Sequence, residues 1–180
     1  MEERPELSGT AYVVLGMLGL GAETGYDIKS AVDKSTRFFW AASYGQIYPE
    51  LSRLERAGLV EGKDASAGRR KRKAYQLTPA GRRALAEWAA ASPRMPELRD
   101  ENLLKLFFAD LIPKEQALEQ VRMRRRGHEE FLALLRQIEA GVRDGFSFSN
   151  LVLQYGIEYA EWNIEWCQRH ERRLAERQAA

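Results

Sequence analysis

"SYGQIYPELSRLERAGLVEG", residues 43–62, divides into a helical pattern that ends at Gly58 and a strand-like tail. Ile47, Leu51 and Leu54 recur at i, i+4 and i+7, which gives the helix one ordinary apolar face. Its first turn is different. Ser43, Tyr44, Gly45, Gln46 and Tyr48 are hydrogen-bonding, aromatic or bare, and Pro49 follows at once. Proline has no amide hydrogen and suits a helix's first turn, so it predicts a helix start near Gly45 or slightly earlier.

Upstream, "LSGTAYVVLGMLGLG" places Leu7, Ala11, Val14, Leu15 and Leu18 at helical spacing, with Ser8 as N-cap and glycines near position 20 as the stop. "TGYDIKSAVDKS" offers Thr24 as a cap and a narrow stripe of Ile28, Ala31 and Val32; "TRFFWAA" reads as a loop. Downstream, "LVEGKD" and "RKAYQLT" are two short strand candidates joined by "ASAGRR". "TPAGRRALAEWAAAS" then starts a helix with Thr78 as N-cap and Pro79 at the first position. Three helices, a hairpin and a fourth helix make a helix-turn-helix carrying a β-wing.

In that arrangement the polar start of the quoted helix has a use. The second helix of the motif presents its N-terminal residues to base edges in the major groove while its apolar back packs on the domain. Gln46 can donate to and accept from adenine, the hydroxyls of Ser43, Tyr44 and Tyr48 reach bases or phosphates, and Gly45 lets the backbone approach a phosphate. An ordinary surface helix is the competing reading. "RRKRK", Arg69, Arg70, Lys71, Arg72 and Lys73, puts consecutive cations at the hairpin tip. A basic loop can be a solvated charge run; beside a reading helix it becomes a phosphate clamp, each bound cation steepening the loss of affinity with salt by about 0.9 in log–log slope.

The residues "SPRMPELRD" form a short polar linker with two prolines. The division expected is residues 1–92, a DNA-binding domain, 93–100, a linker, and 101–180, a helical domain. Everything past the linker reads as helix: "DENLLKLFFADLI", a long segment from Pro113, and a last one from Ser149. Leu118, Val121, His128, Leu132, Leu135, Ile138 and Val142 approach a coiled-coil seam interrupted by Arg125, and long helices with few other partners usually pair between chains. In the last helix Tyr155, Tyr159, Trp162 and Trp166 step by four, three and four along one stripe. Such aromatics line either a core or dimer interface, or the wall of a pocket on which a flat effector stacks. Phe107 and Phe108 can join that cluster, and Trp88 can tie the two halves together.

Net charge is only +2, with 14 Lys and Arg against 11 Asp and Glu in residues 1–92 and 14 against 15 thereafter. Distribution therefore matters more than total. The single cysteine, Cys167, allows no intrachain disulfide, "MEERPELSGT" lacks the layout of a secretion signal, and no run of about 18 apolar residues occurs. A soluble, cytoplasmic protein is expected, with no membrane segment. His128 and His170 lack companions at metal-ligand spacing, and no glycine-rich phosphate loop or assembled catalytic group is present. No enzyme, metal or cofactor is expected.

"GYDIKSAVDKS", "YGQIYPELSRLERAGLVEG" and "RRKRKAYQLTPAGRRAL" resemble the PadR family of winged-helix transcriptional regulators, and the C-terminal part, with "LKLFF", is similar to the helical domain of its virulence-activator-like branch. The resemblance implies a mainly α fold with a small β-hairpin: an N-terminal winged helix-turn-helix plus a C-terminal helical dimerisation domain. It implies a homodimer that binds double-stranded operator DNA and generally represses transcription. Its DNA-contacting positions fall on Ser43, Tyr44, Gln46, Tyr48 and the wing cations, and some relatives respond to phenolic or flat aromatic effectors. A winged helix that binds protein as an adaptor, without an operator, is the alternative.

Overall fold

The computed structural model describes residues 7–65, 72–93, 95, 97–142 and 147–179. The chain forms two compact units, Met1–Arg94 and Met95–Ala180. No described helix is long and apolar enough to cross a membrane.

The first unit runs α1 (Gly9–Gly19), α2 (Gly25–Asp33), a 3-10 turn (Thr36–Phe38), α3 (Tyr44–Arg56), β1 (Val60–Ala65), β2 (Arg72–Leu77) and α4 (Pro79–Ala90). Helix α1 is apolar on most sides and so takes the centre, packing on α2, α3, α4 and β2. Its starts and stops follow the sequence signals: Ser8 Oγ accepts the Ala11 N–H at 3.1 Å, and the chain leaves through Gly21 at φ +100°. Thr24 and Asp27 form a reciprocal capping box at 3.0 and 3.1 Å that starts α2. The expected stripes meet in one core of Ala11, Val14, Leu15, Leu18, Ile28, Val32, Ile47, Leu51 and Leu54, closed by Val60, Tyr75 and Leu77 of the hairpin.

Two details differ from the sequence reading. The "TRFFWAA" loop contains the 3-10 turn. Helix α3 begins at Tyr44, within the expected start, but Pro49 falls in its second turn and not its first. The carbonyl it deprives of a partner is that of Gly45, four residues back; Gly45 is exposed, so water can satisfy it.

The strands pair antiparallel, Val60 opposite Leu77, Gly62 opposite Tyr75 and Asp64 opposite Lys73. The α3-to-β1 corner is a Schellman turn: Gly58, at φ +69°, donates to Glu55 at 3.0 Å while Leu59 donates to Leu54 at 2.9 Å. On leaving β2, Thr78 caps α4 by accepting the Gly81 N–H at 3.0 Å, and its hydroxyl donates to the Gly58 carbonyl at 2.8 Å. A Cβ at Gly81 would lie 2.0 Å from the Leu59 carbonyl oxygen, so only glycine lets α4 close on this corner.

The second unit comprises α5 (Glu101–Phe107), a 3-10 turn (Ala109–Leu111), α6 (Lys114–Ala140) and α7 (Phe148–Ala179). Helix α5 is shorter than "DENLLKLFFADLI" suggests. Ile112 precedes a proline and is extended, at φ −125° and ψ 161°, so the helical turns finish before it. Helices α6 and α7 are antiparallel, as the pairs Arg125–Glu171 and Arg136–Glu161 show at 2.7 and 2.6 Å. Leu118, Val121 and Leu135 face Ile157, Ala160 and Cys167 in the buried layer, while Val142, at the end of the expected seam, is exposed.

Candidate nucleic-acid interface

Helix α3 presents an exposed tip. Tyr44 and Tyr48 are about half exposed and stack at 6.2 Å with an interplanar angle of 20°. Tyr48 is held from behind by α2: a Cβ on Gly25 would come within 2.6 Å of its ring. Lys29 of α2 lies 5.8 Å from the centre of the Tyr44 ring and pairs with Asp33, so α2 brings a cation to the edge of the tip. The sequence reading did not single out Lys29.

Gln46 plays a part that its sequence position announces. Its Oε1 accepts from the Ser43 N–H at 2.9 Å and from Ser43 Oγ at 3.1 Å. This is the glutamine arm of a capping box, and "SYGQ" carries the S-x-x-Q signature. The two amide hydrogens on Nε2 remain to donate outward; a bidentate contact to adenine requires Oε1 to leave the cap.

Among the wing cations, Lys73 is engaged within the protein. Its Nζ lies 2.6 Å from Glu55 Oε2, while Glu55 Oε1 accepts the Gly62 N–H at 3.2 Å. The Lys73 hydrogen bond holds the Glu55 carboxyl below the usual carboxylate range, and the same bond raises the Lys73 ammonium. Arg72 is the first residue of β2, opposite Ala65. Arg69, Arg70 and Lys71 lie outside the described residues.

Each aromatic candidate has its own neighbours within its unit. Trp88 stacks on Tyr12 of α1 at 4.4 Å and 8°, within the first unit. Phe107 and Phe108 meet edge-on at 5.1 Å and are both exposed. On α7 the inner face is Ile157, Ala160, Asn163 and Cys167, so Tyr155, Tyr159 and Trp162 stand on the outer flank, exposed, and Trp166 is half-buried against His170 at 4.4 Å. Tyr155 stacks on Tyr159 at 6.4 Å, and His128 of α6 approaches the Tyr159 ring at 5.6 Å. Burial pushes the His128 imidazole below its ordinary value; Arg124 adds to this and Asp100 opposes it.

A buried polar network lies beneath. Arg124, with its side chain 7% exposed, bonds Asp100 Oδ2 at 2.8 Å and Asn163 Oδ1 at 2.8 Å. Asn163 passes its amide hydrogen to the Tyr159 carbonyl at 2.8 Å, and Asp100 caps α5 through the Leu103 N–H at 3.0 Å. Burial raises the Asp100 carboxyl, but the Leu103 amide and Arg124 together bring it below its ordinary value. Burial raises the Cys167 thiol, consistent with a packing role. Among the described residues no group of three His, Cys, Asp or Glu is placed to hold a metal ion.

Comparison with known proteins agrees with this architecture. The profile of the "Transcriptional regulator PadR-like family" matches residues 14–87 and that of "Virulence activator alpha C-term" matches residues 98–175. The chain is 34% identical over 108 residues to the negative transcriptional regulator PadR of Bacillus subtilis, a match spanning 59% of this chain and 59% of that protein. The crystal structure of Bacillus subtilis PadR in complex with operator DNA superposes with a TM-score of 0.83 at 27% identity, covering 91% of this chain and 98% of that one. The complex of the same protein with p-coumaric acid superposes with a TM-score of 0.77 at 27% identity, covering 92% and 98%. With its winged helix-turn-helix followed by a helical C-terminal unit, this chain belongs to the PadR-like family of transcriptional regulators.

Proposed function

We propose that the chain is a cytoplasmic transcriptional repressor that binds a palindromic operator as a homodimer. The observation that carries this reading is the tip of α3, where Ser43, Tyr44, Gly45, Gln46 and Tyr48 stand exposed or half exposed at the start of a helix whose other face is fully buried. Tyr44, Tyr48 and the Gln46 amide read base edges; Ser43 and Gly45 position the helix on phosphates. Arg69, Arg70, Lys71 and Arg72 supply the wing's hold on the backbone. The helical unit of residues 101–180 joins two copies, setting the two reading helices about 34 Å apart. The Bacillus subtilis relative, bound to operator DNA in one structure and to p-coumaric acid in another, supports both the operator and a flat aromatic effector. Such an effector stacks on Tyr155, Tyr159, Trp162 and Trp166 and releases the DNA.

The test is selection of bound duplexes from a random pool, followed by titration of the enriched sequence with p-coumaric acid as the probe compound. An enriched sequence with two inverted half-sites one helical turn apart supports the reading. A pool that stays random at low salt overturns it. Undiminished binding at saturating phenolic acid removes that class of effector and leaves the operator reading intact.

A further inference from the structure

We propose that Glu55 and Lys73 form a clasp that sets the wing's position against the reading helix, so that Lys73 is a positioning residue and not a phosphate contact. The inference rests on the DNA-binding reading above, since it concerns how that reading's two contact surfaces are held in register.

Three elements meet at the clasp. Glu55 lies in the last turn of α3, nine residues from Gln46, or about 14 Å along the axis. One of its oxygens takes the Lys73 ammonium from β2 at 2.6 Å, and the other takes the Gly62 amide from β1 at 3.2 Å. Gly62 is bare where the pair passes: a Cβ there would lie 2.2 Å from Lys73 Cε and 2.6 Å from Glu55 Oε1. The ammonium also sits 5.4 Å from the centre of the Tyr75 ring, the residue opposite Gly62.

Position gives the clasp its leverage. Among the described residues the hairpin buries Val60, Tyr75 and Leu77, towards its base. Lys73 lies beyond them, and its bond to Glu55 is the outermost tie from hairpin to α3 among the described residues. A half-exposed ion pair of this kind adds little to global stability. It restricts the part of the two-stranded ribbon that extends beyond Tyr75, whose N–H donates to the Glu23 carbonyl at 2.7 Å, and the far end of the same helix carries the reading tip.

The electrostatics separate this role from a phosphate contact. A lysine bound to a carboxylate presents a pair of no net charge, so it releases no counterion when DNA arrives. Simple charge reasoning says that removing Glu55 brings DNA closer; the clasp says that it lets the wing stray.

The experiment measures affinity for the selected duplex, with salt varied over about 50 to 200 mM, for Glu55→Gln, Lys73→Met, Lys73→Arg, Gly62→Ala and the Glu55→Gln/Lys73→Met pair. Amide exchange at Gly62 is followed on the same proteins without DNA. The clasp predicts that Glu55→Gln, Lys73→Met and Gly62→Ala each weaken binding by about three- to tenfold, and that the double variant is no worse than either single. Lys73→Arg stays near the parent, the salt slope is unchanged throughout, and Gly62 exchanges faster in Glu55→Gln. Tighter binding by Glu55→Gln overturns the proposal, as does a slope reduced by about one phosphate in Lys73→Met. Unaltered Gly62 exchange in Glu55→Gln overturns it whether or not DNA binds. Faster Gly62 exchange in a protein that binds no duplex supports the clasp and overturns the DNA-binding reading instead.

Discussion

Gln46 Oε1 lies 2.9 Å from the Ser43 amide nitrogen and accepts its hydrogen, so the residue best equipped to read a base also caps the helix that carries it. The two duties compete for one oxygen. Capping fixes where α3 begins and therefore where Tyr44 and Tyr48 stand; reading adenine through both amide atoms needs that oxygen released.

Gln46→Glu separates the duties. A glutamate at this position completes the same capping box and sits well near a helix N-terminus, so stability should stay within about 0.5 kcal/mol of the parent. It lacks amide donors and repels phosphate, so preference for the selected sequence should fall by about 1–3 kcal/mol. Gln46→Ala loses the cap as well, at about 1 kcal/mol of stability. Thermal unfolding and competition between selected and scrambled duplexes check both values.

Gly81→Ala should damage the fold without touching the tip. Its methyl group would sit 2.0 Å from the Leu59 carbonyl oxygen, a backbone atom that cannot rotate away. Helix α4 must lift from the α3-to-β1 corner, straining the Thr78 bonds to Gly58 and Gly81. Overpacking of this kind costs about 1–3 kcal/mol. A melting temperature equal to the parent's would show that the corner is looser than its geometry implies.

The first unit was the more legible half because its signals are local. Ser8, Thr24 and Thr78 cap the helices they were expected to cap, and Ile47, Leu51 and Leu54 are fully buried as their spacing demands. The S-x-x-Q cap is legible in the sequence, yet spacing alone does not tell a capping glutamine from a base-reading one. Lys73 illustrates what spacing cannot give: five adjacent cations look alike in sequence, and only the fold brings Glu55, eighteen residues away, to one of them. The same holds for Arg124. It sits in a run of three arginines, and its selection for burial depends on Asn163, 39 residues away on an antiparallel helix.

Acid should weaken the second unit through Asp100. Its folded carboxyl is held below the ordinary value, so the folded state binds a proton less readily than the unfolded chain. The stabilisation is complete above the unfolded value of about 3.9 and is lost as pH falls through the lower folded one. Asp100→Asn keeps a good N-cap but leaves the Arg124 charge uncompensated beside Asn163. At neutral pH it should cost about 3 kcal/mol, the low end for a broken buried pair because Asp100 still reaches solvent. Urea titrations at several pH values should show the gap between variant and parent narrowing below about pH 4. A gap that does not change with pH would assign the loss to packing.

Trp162→Ser tests what covers the outer flank of α7. Tyr155, Tyr159 and Trp162 stand exposed on that flank while Ile157, Ala160 and Cys167 occupy the inner one, so the aromatic stripe contributes little to the α6–α7 core. Large exposed aromatics in a row mark an interaction surface. If this surface joins two copies, Trp162 is a natural hot spot, and its removal should raise the dimer dissociation constant by about 30-fold, or about 2 kcal/mol. Monomer unfolding should barely change, because the residue is 55% exposed to begin with. Operator affinity should fall in the same protein concentration range in which sedimentation shows dissociation, since one copy holds only one half-site. Dissociation without loss of operator binding would separate the stripe from DNA recognition, and an unchanged dimer would leave the stripe to the effector alone.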